Sequence, residues 1–171
     1  MSIEEKICLD LRRWVNHTKE GARRSENDLV YYDHMWNMIQ NVITGWEKSS
    51  NVEERDFVSM VKYVGPLYRL HKRYEKNEPR YGIKETSHFV SWTKNINLTD
   101  IYWVYEGCQY LKLEADAKPN YFGIDLVGLN DYIQKYWCTN FSIGTPAILN
   151  EQEVVFPIDF KSINNIKIVT L

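Results

Sequence analysis

The sequence predicts an α+β domain in which helices come first and strands follow. Apolar residues recur at helical spacing over the first third of the chain, whereas the rest consists of short runs rich in Tyr, Val and Ile, separated by polar turns. Strand and helix do not alternate strictly, so a doubly wound parallel sheet is not predicted. A chain of 171 residues buries enough surface for one self-sufficient core. We therefore expect a single domain over 1–171, with a helical part at 1–65 and a strand-rich part at 66–171.

Three helices are predicted from the periodicity of the first part. Ser25 and Asp28 have the spacing of a capping box before the second helix. Gly65-Pro66 predicts the end of the third helix, because proline cannot continue a helical run. The predicted helices extend over 3–15, 29–46 and 51–64.

Strands are predicted wherever short apolar or alternating runs lie between turn residues. A short helix is expected after Gly128, and the run 98–106 has no decisive period, so strand and helix both stay open there. The predicted strands lie near Leu67–Tyr74, His88–Thr93, Tyr110–Ala115, Phe122–Val127, Glu153–Ile158 and Ile163–Val169.

Charge balance and cysteine usage exclude several classes of protein. The chain has 23 acidic and 21 basic residues and no long basic run, which argues against a broad electrostatic surface for duplex DNA. Cys8, Cys108 and Cys138 form no CxxC pair, so we expect reduced thiols and no metal. No run of about 18 apolar residues is present, and acidic residues stand where a secretory signal has basic ones. A cytoplasmic protein without a membrane partner is expected.

Two of the predicted strands contain residue types suited to ligand binding. In the strand near Leu67, alternation puts Arg69 on the face opposite Tyr68. In the strand that follows, alternation puts the hydroxyls of Ser91 and Thr93 on one face. An arginine and a pair of short hydroxyls are therefore available on neighbouring strands.

A double glutamate completes this set. Glu151 and Glu153 are expected to share a face at the start of a late strand, so that two carboxylates flank one spot. An aromatic-Arg pair, a Ser-x-Thr strand and a Glu-x-Glu, in that order, resemble the arginine-serine-glutamate class of mono-ADP-ribosyltransferases. The resemblance covers about 67–171. It implies a mostly antiparallel, split β-sheet core of ADP-ribosyltransferase type, with NAD as substrate and no metal.

Cleavage of NAD needs the kinds of group that these motifs contain. Breaking the bond between ribose and nicotinamide creates an oxocarbenium-like centre, which a carboxylate stabilises more strongly than it does neutral ribose. Glu153 is expected to have this main catalytic role, and Glu151 to orient or deprotonate the incoming nucleophile. The guanidinium of Arg69 suits phosphate or ribose oxygens. The residues expected to bind the cofactor are Arg69, Tyr68, Ser91 and Thr93.

Each motif alone also has an ordinary structural interpretation. A strand arginine such as Arg69 is usually ion-paired or at the surface, and single strand hydroxyls or glutamates usually have no chemical role. The functional interpretation depends on the joint order of the motifs. Phe141, with Phe122 as the alternative, is the candidate for contact with the acceptor or with nicotinamide.

The acceptor and the biological setting stay open. The Glu-x-Glu spelling resembles family members that modify arginine, so a protein arginine is favoured and a nucleic-acid base is the alternative. The resemblance also suggests an intracellular bacterial or phage enzyme, such as a toxin held by an antitoxin or an enzyme of phage–host conflict. Two further functions remain, an NAD glycohydrolase and an inert binding or inhibitory module. A nucleophile at Cys108 or Cys138 with His88 as its base is the less favoured chemistry.

Overall fold

A computed structural model describes residues 1–19, 26–77, 82–98, 105–137, 143 and 150–171. In this part of the chain, helices dominate the first third and strands the remainder, which confirms the predicted α+β class. The helices are α1 (Ile3–Lys19), α2 (Glu26–Trp46), α3 (Val52–Val61) and α4 (Leu126–Trp137). The strands are β1 (Lys62–Tyr63), β2 (Gly65–Arg73), β3 (Phe89–Thr93), β4 (Gln109–Ala117), β5 (Gly123–Asp125), β6 (Glu153–Pro157) and β7 (Ile163–Thr170).

The described strands form a curled antiparallel sheet in the order β1-β5-β6-β3-β2-β4-β7. β3 pairs with β6 along its whole length, and β2 pairs with β4 over most of its length. The ladder between β2 and β3 consists of one residue pair, Tyr68 with Thr93. We therefore distinguish a first half-sheet (β1, β5, β6, β3) from a second half-sheet (β2, β4, β7) that meet at this junction.

The N-terminal helices pack on the sheet at the beginning of β3. The ring of Phe89 lies 5.0 Å from that of Trp14 in α1, and 6.0 and 5.7 Å from those of Tyr32 and Trp36 in α2. Trp36 also contacts Phe156 of β6, with 6.5 Å between ring centroids. Burial of such large aromatic surfaces is the main favourable term in folding, and here it joins the helices to the first half-sheet.

α3 and α4 approach each other closely. The rings of Phe57 and Tyr132 meet edge to face with 4.9 Å between centroids, and the Tyr132 hydroxyl donates to Glu53 at 3.0 Å. A Cβ atom at Gly128 would lie 1.7 Å from the carbonyl oxygen of Met60, so only glycine permits this crossing. The two helices cover the β5 and β6 end of the sheet.

Several predicted boundaries are wrong. α3 ends at Val61, and Gly65-Pro66 begins β2 instead of ending the helix. The predicted strand Phe122–Val127 shrinks to β5, and α4 begins at Leu126, before Gly128. The reason is a cap: Asp125 Oδ1 accepts from the backbone amides of the second and third residues of α4, at 3.0 and 3.1 Å. The predicted cap at Ser25 and most of the open run 98–106 lie outside the described residues.

Two glycine substitutions test the α3–α4 crossing. Gly128→Ala is expected to lower the free energy of unfolding by about 3 kcal/mol, because a backbone carbonyl must move to admit the methyl group. Gly45→Ala in α2 meets nothing within 4 Å, and it is expected to stabilise by about 0.5–1 kcal/mol through helix propensity. Urea unfolding followed by circular dichroism measures both values. Equal effects of the two substitutions would contradict the close crossing.

Candidate functional site

The strands that carry the three motifs are neighbours in the sheet. Their order is β6-β3-β2, although the motifs lie far apart in sequence. Glu153 pairs with Thr93, and Thr93 pairs with Tyr68. Residues directly opposite each other in antiparallel strands have side chains on the same face. Glu153, Thr93 and Tyr68 therefore form one row across three strands, which we call the site row.

Arg69 lies at the junction of the half-sheets. Arg69 and Tyr68 are neighbours on β2, so their side chains lie on opposite faces of the sheet, as strand alternation predicts. Tyr68 pairs with Glu114 on β4, and Arg69 pairs with Leu113. Arg69 Nη1 donates a hydrogen bond to the backbone carbonyl of Ser91 on β3. The guanidinium thus bridges the two half-sheets next to their single ladder pair.

The hydroxyl of Thr93 holds the Glu-x-Glu turn. Thr93 Oγ1 donates to the backbone carbonyl of Glu151 and accepts from the amide of Asn95 at 2.9 Å. The amide of Lys94 donates to the carbonyl of Gln152 at 3.2 Å. These bonds attach the turn before β6 to the end of β3.

Glu151 and Glu153 are not placed by one strand, which corrects the sequence-based expectation. β6 begins at Glu153, and Glu151 lies in the preceding turn. The residue between them, Gln152, has φ of 52°, in the left-handed region that a side chain disfavours. Strand alternation therefore stops at Glu153, and the turn determines where Glu151 lies.

The two carboxyl groups have different surroundings. Glu153 is buried, with 8% of its surface exposed, whereas Glu151 is half-buried. Burial raises the pKa of Glu151 above its usual value of 4.5. A carboxyl group with a raised pKa is a stronger base than an exposed one, which suits proton transfer.

An ion pair beside the turn was missed by the sequence analysis. Lys94 Nζ lies 2.6 Å from Asp125 Oδ2, and it lies 5.8 Å from the centre of the Tyr63 ring. Asp125 also caps α4, so a single carboxylate connects Lys94 to that helix. The only sequence signal for this ion pair was the position of Lys94 directly after the Ser-x-Thr motif. Its partner, Asp125, could not be predicted, because it comes close only through the pairing of β5 with β6.

The aromatic candidates for acceptor contact are not part of the described site. Phe141 lies outside the described residues. Phe122 has only 1% of its surface exposed, and its ring lies 4.5 Å from Lys62 Nζ within the core. Phe122 is therefore a packing residue, which corrects its assignment as an alternative contact.

Comparison with protein-family models, with curated proteins and with solved structures finds no match for this chain. In the described ranges, no helix combines the length and apolarity that a bilayer crossing needs. The same residues contain no group of at least three His, Cys, Asp or Glu side chains arranged for a metal ion. Cys8 and Cys108 are free thiols, and burial raises the pKa of Cys8 to about 12.

Replacement of Thr93 tests the attachment of the turn. Thr93→Val is expected to lower the free energy of unfolding by about 1–3 kcal/mol, because it removes partners of a carbonyl and an amide that are partly buried. Thr93→Ser keeps the hydroxyl and is expected to retain most of the stability. Urea unfolding measures both variants, and equal destabilisation would show that the methyl group, not the hydroxyl, matters.

The raised pKa of Glu151 predicts a dependence of stability on pH. Between the usual pKa of 4.5 and the raised folded value, the native state keeps a proton that the unfolded state loses, so stability falls as pH rises. Glu151→Gln has no ionisation to disfavour. We expect it to gain stability relative to the wild type as pH rises through this window, and then to keep a constant advantage.

Unfolding in urea at several pH values measures this difference. Glu106→Gln, which removes an exposed carboxylate, controls for the loss of one negative charge. A difference between the Glu151 variant and the wild type that shrinks with rising pH would contradict the assigned direction of the pKa shift.

Proposed function

We propose that this protein is an NAD-dependent mono-ADP-ribosyltransferase that moves ADP-ribose from NAD to a macromolecular acceptor. The observation that carries the proposal is the site row, in which Thr93 pairs with both Glu153 and Tyr68. The three motifs thus come to adjacent strands, although Thr93 and Glu153 lie 60 residues apart in sequence. Arg69 at the junction and the attachment of the Glu-x-Glu turn to β3 support it further.

The proposed reaction begins with loss of nicotinamide. The bond between the anomeric carbon and the nicotinamide nitrogen breaks, and its electron pair leaves with neutral nicotinamide. Positive charge develops on the ribose, where the buried Glu153 carboxylate stabilises it. Because this interaction strengthens in the transition state, it raises the rate of cleavage and not just the affinity for NAD.

The second half of the reaction forms the bond to the acceptor. A nucleophilic atom of the acceptor bonds to the anomeric carbon, and its proton goes to Glu151. Burial raises the pKa of Glu151, which makes it a better proton acceptor. Its position in a turn, outside β6, leaves Glu151 half-buried, so that its carboxyl group is partly accessible to an acceptor.

The remaining residues bind and orient the dinucleotide in this proposal. Arg69, which reaches the junction from the side of β2 opposite Tyr68, offers its planar, permanently charged group to ribose oxygens there. Tyr68 and Ser91 contact the nicotinamide ribose, and Thr93 keeps the glutamate turn in place. The function thus uses side chains from three strands.

Acceptor and setting follow from the resemblance. The Glu-x-Glu spelling favours a protein arginine, and a nucleic-acid base is the alternative acceptor. We propose a cytoplasmic enzyme, acting as a toxin with an antitoxin or in phage–host conflict.

A labelling experiment tests the function. The purified protein is incubated with NAD labelled in its adenylate part and with a bacterial lysate, and products are treated with protease or nuclease. Glu153→Gln is expected to lower both nicotinamide release and label transfer about 100-fold or more. Glu151→Gln is expected to lower transfer at least about tenfold more than nicotinamide release, because it affects the acceptor step.

Glu106→Gln removes an exposed carboxylate and is expected to behave as the wild type. Nicotinamide release without transfer in any lysate would replace the proposal with an NAD glycohydrolase. Absence of both activities in the wild type, with no NAD binding at millimolar concentration, would identify an inert binding or inhibitory module.

A further inference from the structure

A second polar cluster lies on the side of the sheet that carries Tyr68. Glu114 pairs with Tyr68, and Lys112 two residues earlier faces the same side of β4. On β7, Asn165 pairs with Glu114 and Lys167 pairs with Lys112. We call these four residues the lysine cluster: Lys112, Glu114, Asn165 and Lys167.

Glu114 is the centre of the lysine cluster. Its carboxylate lies 3.2 Å from Lys112 Nζ and 3.2 Å from Lys167 Nζ, and it accepts from Asn165 Nδ2 at 2.9 Å. Burial acts to raise the pKa of Glu114, but the hydrogen bonds from Lys167, Lys112 and Asn165 outweigh it and hold the pKa below its usual value. Glu114 therefore stays ionised and fixes both ammonium groups.

The lysine cluster carries more positive than negative charge. Two ammonium groups share one carboxylate, so the cluster itself has a net charge of about +1. The Lys112 side chain is only 13% exposed, whereas that of Lys167 is 52% exposed. Lys112 Nζ also lies 5.0 Å from the centre of the Tyr68 ring. A partly desolvated cation thus contacts the residue that ends the site row.

The lysine cluster extends the site row across the sheet. From Glu153 to Glu114 the row crosses three strand spacings, or about 14 Å. If the ribose of NAD lies against Glu153, the diphosphate follows within a few bonds of the anomeric carbon. The side chain of Arg69 lies on the face of β2 opposite Tyr68. On the face that carries Tyr68, the cation on β4 is Lys112.

We propose that the lysine cluster is an anion subsite that receives the diphosphate of the dinucleotide, with Lys112 as the main contact. This inference rests on the proposed function, since it requires the ribose of NAD to lie against Glu153. Lys167 contributes less, because its exposed charge is screened by solvent and salt. The subsite holds the far half of the substrate while the glutamates act on the ribose.

Calorimetric titration of four probes tests the subsite. The probes are NAD, NADP, nicotinamide riboside and inorganic pyrophosphate. Lys112→Gln is expected to weaken NAD and pyrophosphate binding about tenfold while nicotinamide riboside, which has no phosphate, binds as before. Lys112→Arg keeps the charge and is expected to retain most of the affinity. Lys167→Gln is expected to give a smaller loss than Lys112→Gln.

A matched control separates binding from general effects. Lys135→Gln removes another lysine that forms an ion pair, with Asp56 at 2.5 Å, and it is expected to bind all four probes as the wild type does. Thermal unfolding of each variant shows whether the fold is intact.

Unchanged NAD and pyrophosphate binding in a folded Lys112→Gln variant would overturn the subsite, even if NAD is cleaved. Tighter binding of NADP than of NAD, lost in Lys112→Gln, would assign the cluster to the 2′-phosphate and overturn the diphosphate contact. If the wild type binds pyrophosphate through Lys112 but neither binds nor cleaves NAD, the proposed function fails and the dinucleotide assignment with it, while an anion site remains.

Discussion

The pairing of Tyr68 with Thr93 is the constraint on which the arrangement of the site depends. It is the single ladder pair between two half-sheets that are otherwise extensively paired within themselves. Where β2 and β3 diverge beyond it, ladder carbonyls lose their partners, and an unpaired buried carbonyl costs about 1–3 kcal/mol. Arg69 provides a partner for the carbonyl of Ser91 at this point. The arginine proposed to bind NAD thus also joins the two half-sheets.

Thr93 connects the junction of the half-sheets to both glutamates. Its backbone pairs with Tyr68 on one side and with Glu153 on the other, and its hydroxyl donates to the carbonyl of Glu151. Any shift of β3 relative to β2 therefore moves both carboxyl groups. The relative positions of the side chains in the site row therefore depend on Thr93.

The sequence predicted the strands of the site well and the connections between elements poorly. Alternating β-branched and aromatic residues specify β2, β3, β6 and β7 to within two residues at each end. Gly65-Pro66 was misleading as the predicted end of a helix, because proline is also tolerated at the beginning of a strand. At Pro66, β2 pairs with β4, and its pairing with β3 is confined to Tyr68. The contacts of Lys94 with Asp125 and of Lys167 with Glu114 depend on which strands become neighbours. That order is a non-local property which neither periodicity nor a local motif contains.

The costs concentrated at the Glu-x-Glu turn are an argument for function. A fold under selection for stability alone has no reason to put Gln152 in the left-handed region, where it costs about 1–2 kcal/mol. Burial also disfavours the ionised form of Glu151. These two unfavourable features lie in consecutive residues of one turn, and strained backbone and perturbed pKa values cluster at sites that bind or react. The stability that Glu151→Gln gains over the wild type measures the part of this cost that comes from ionising the half-buried carboxyl group of Glu151.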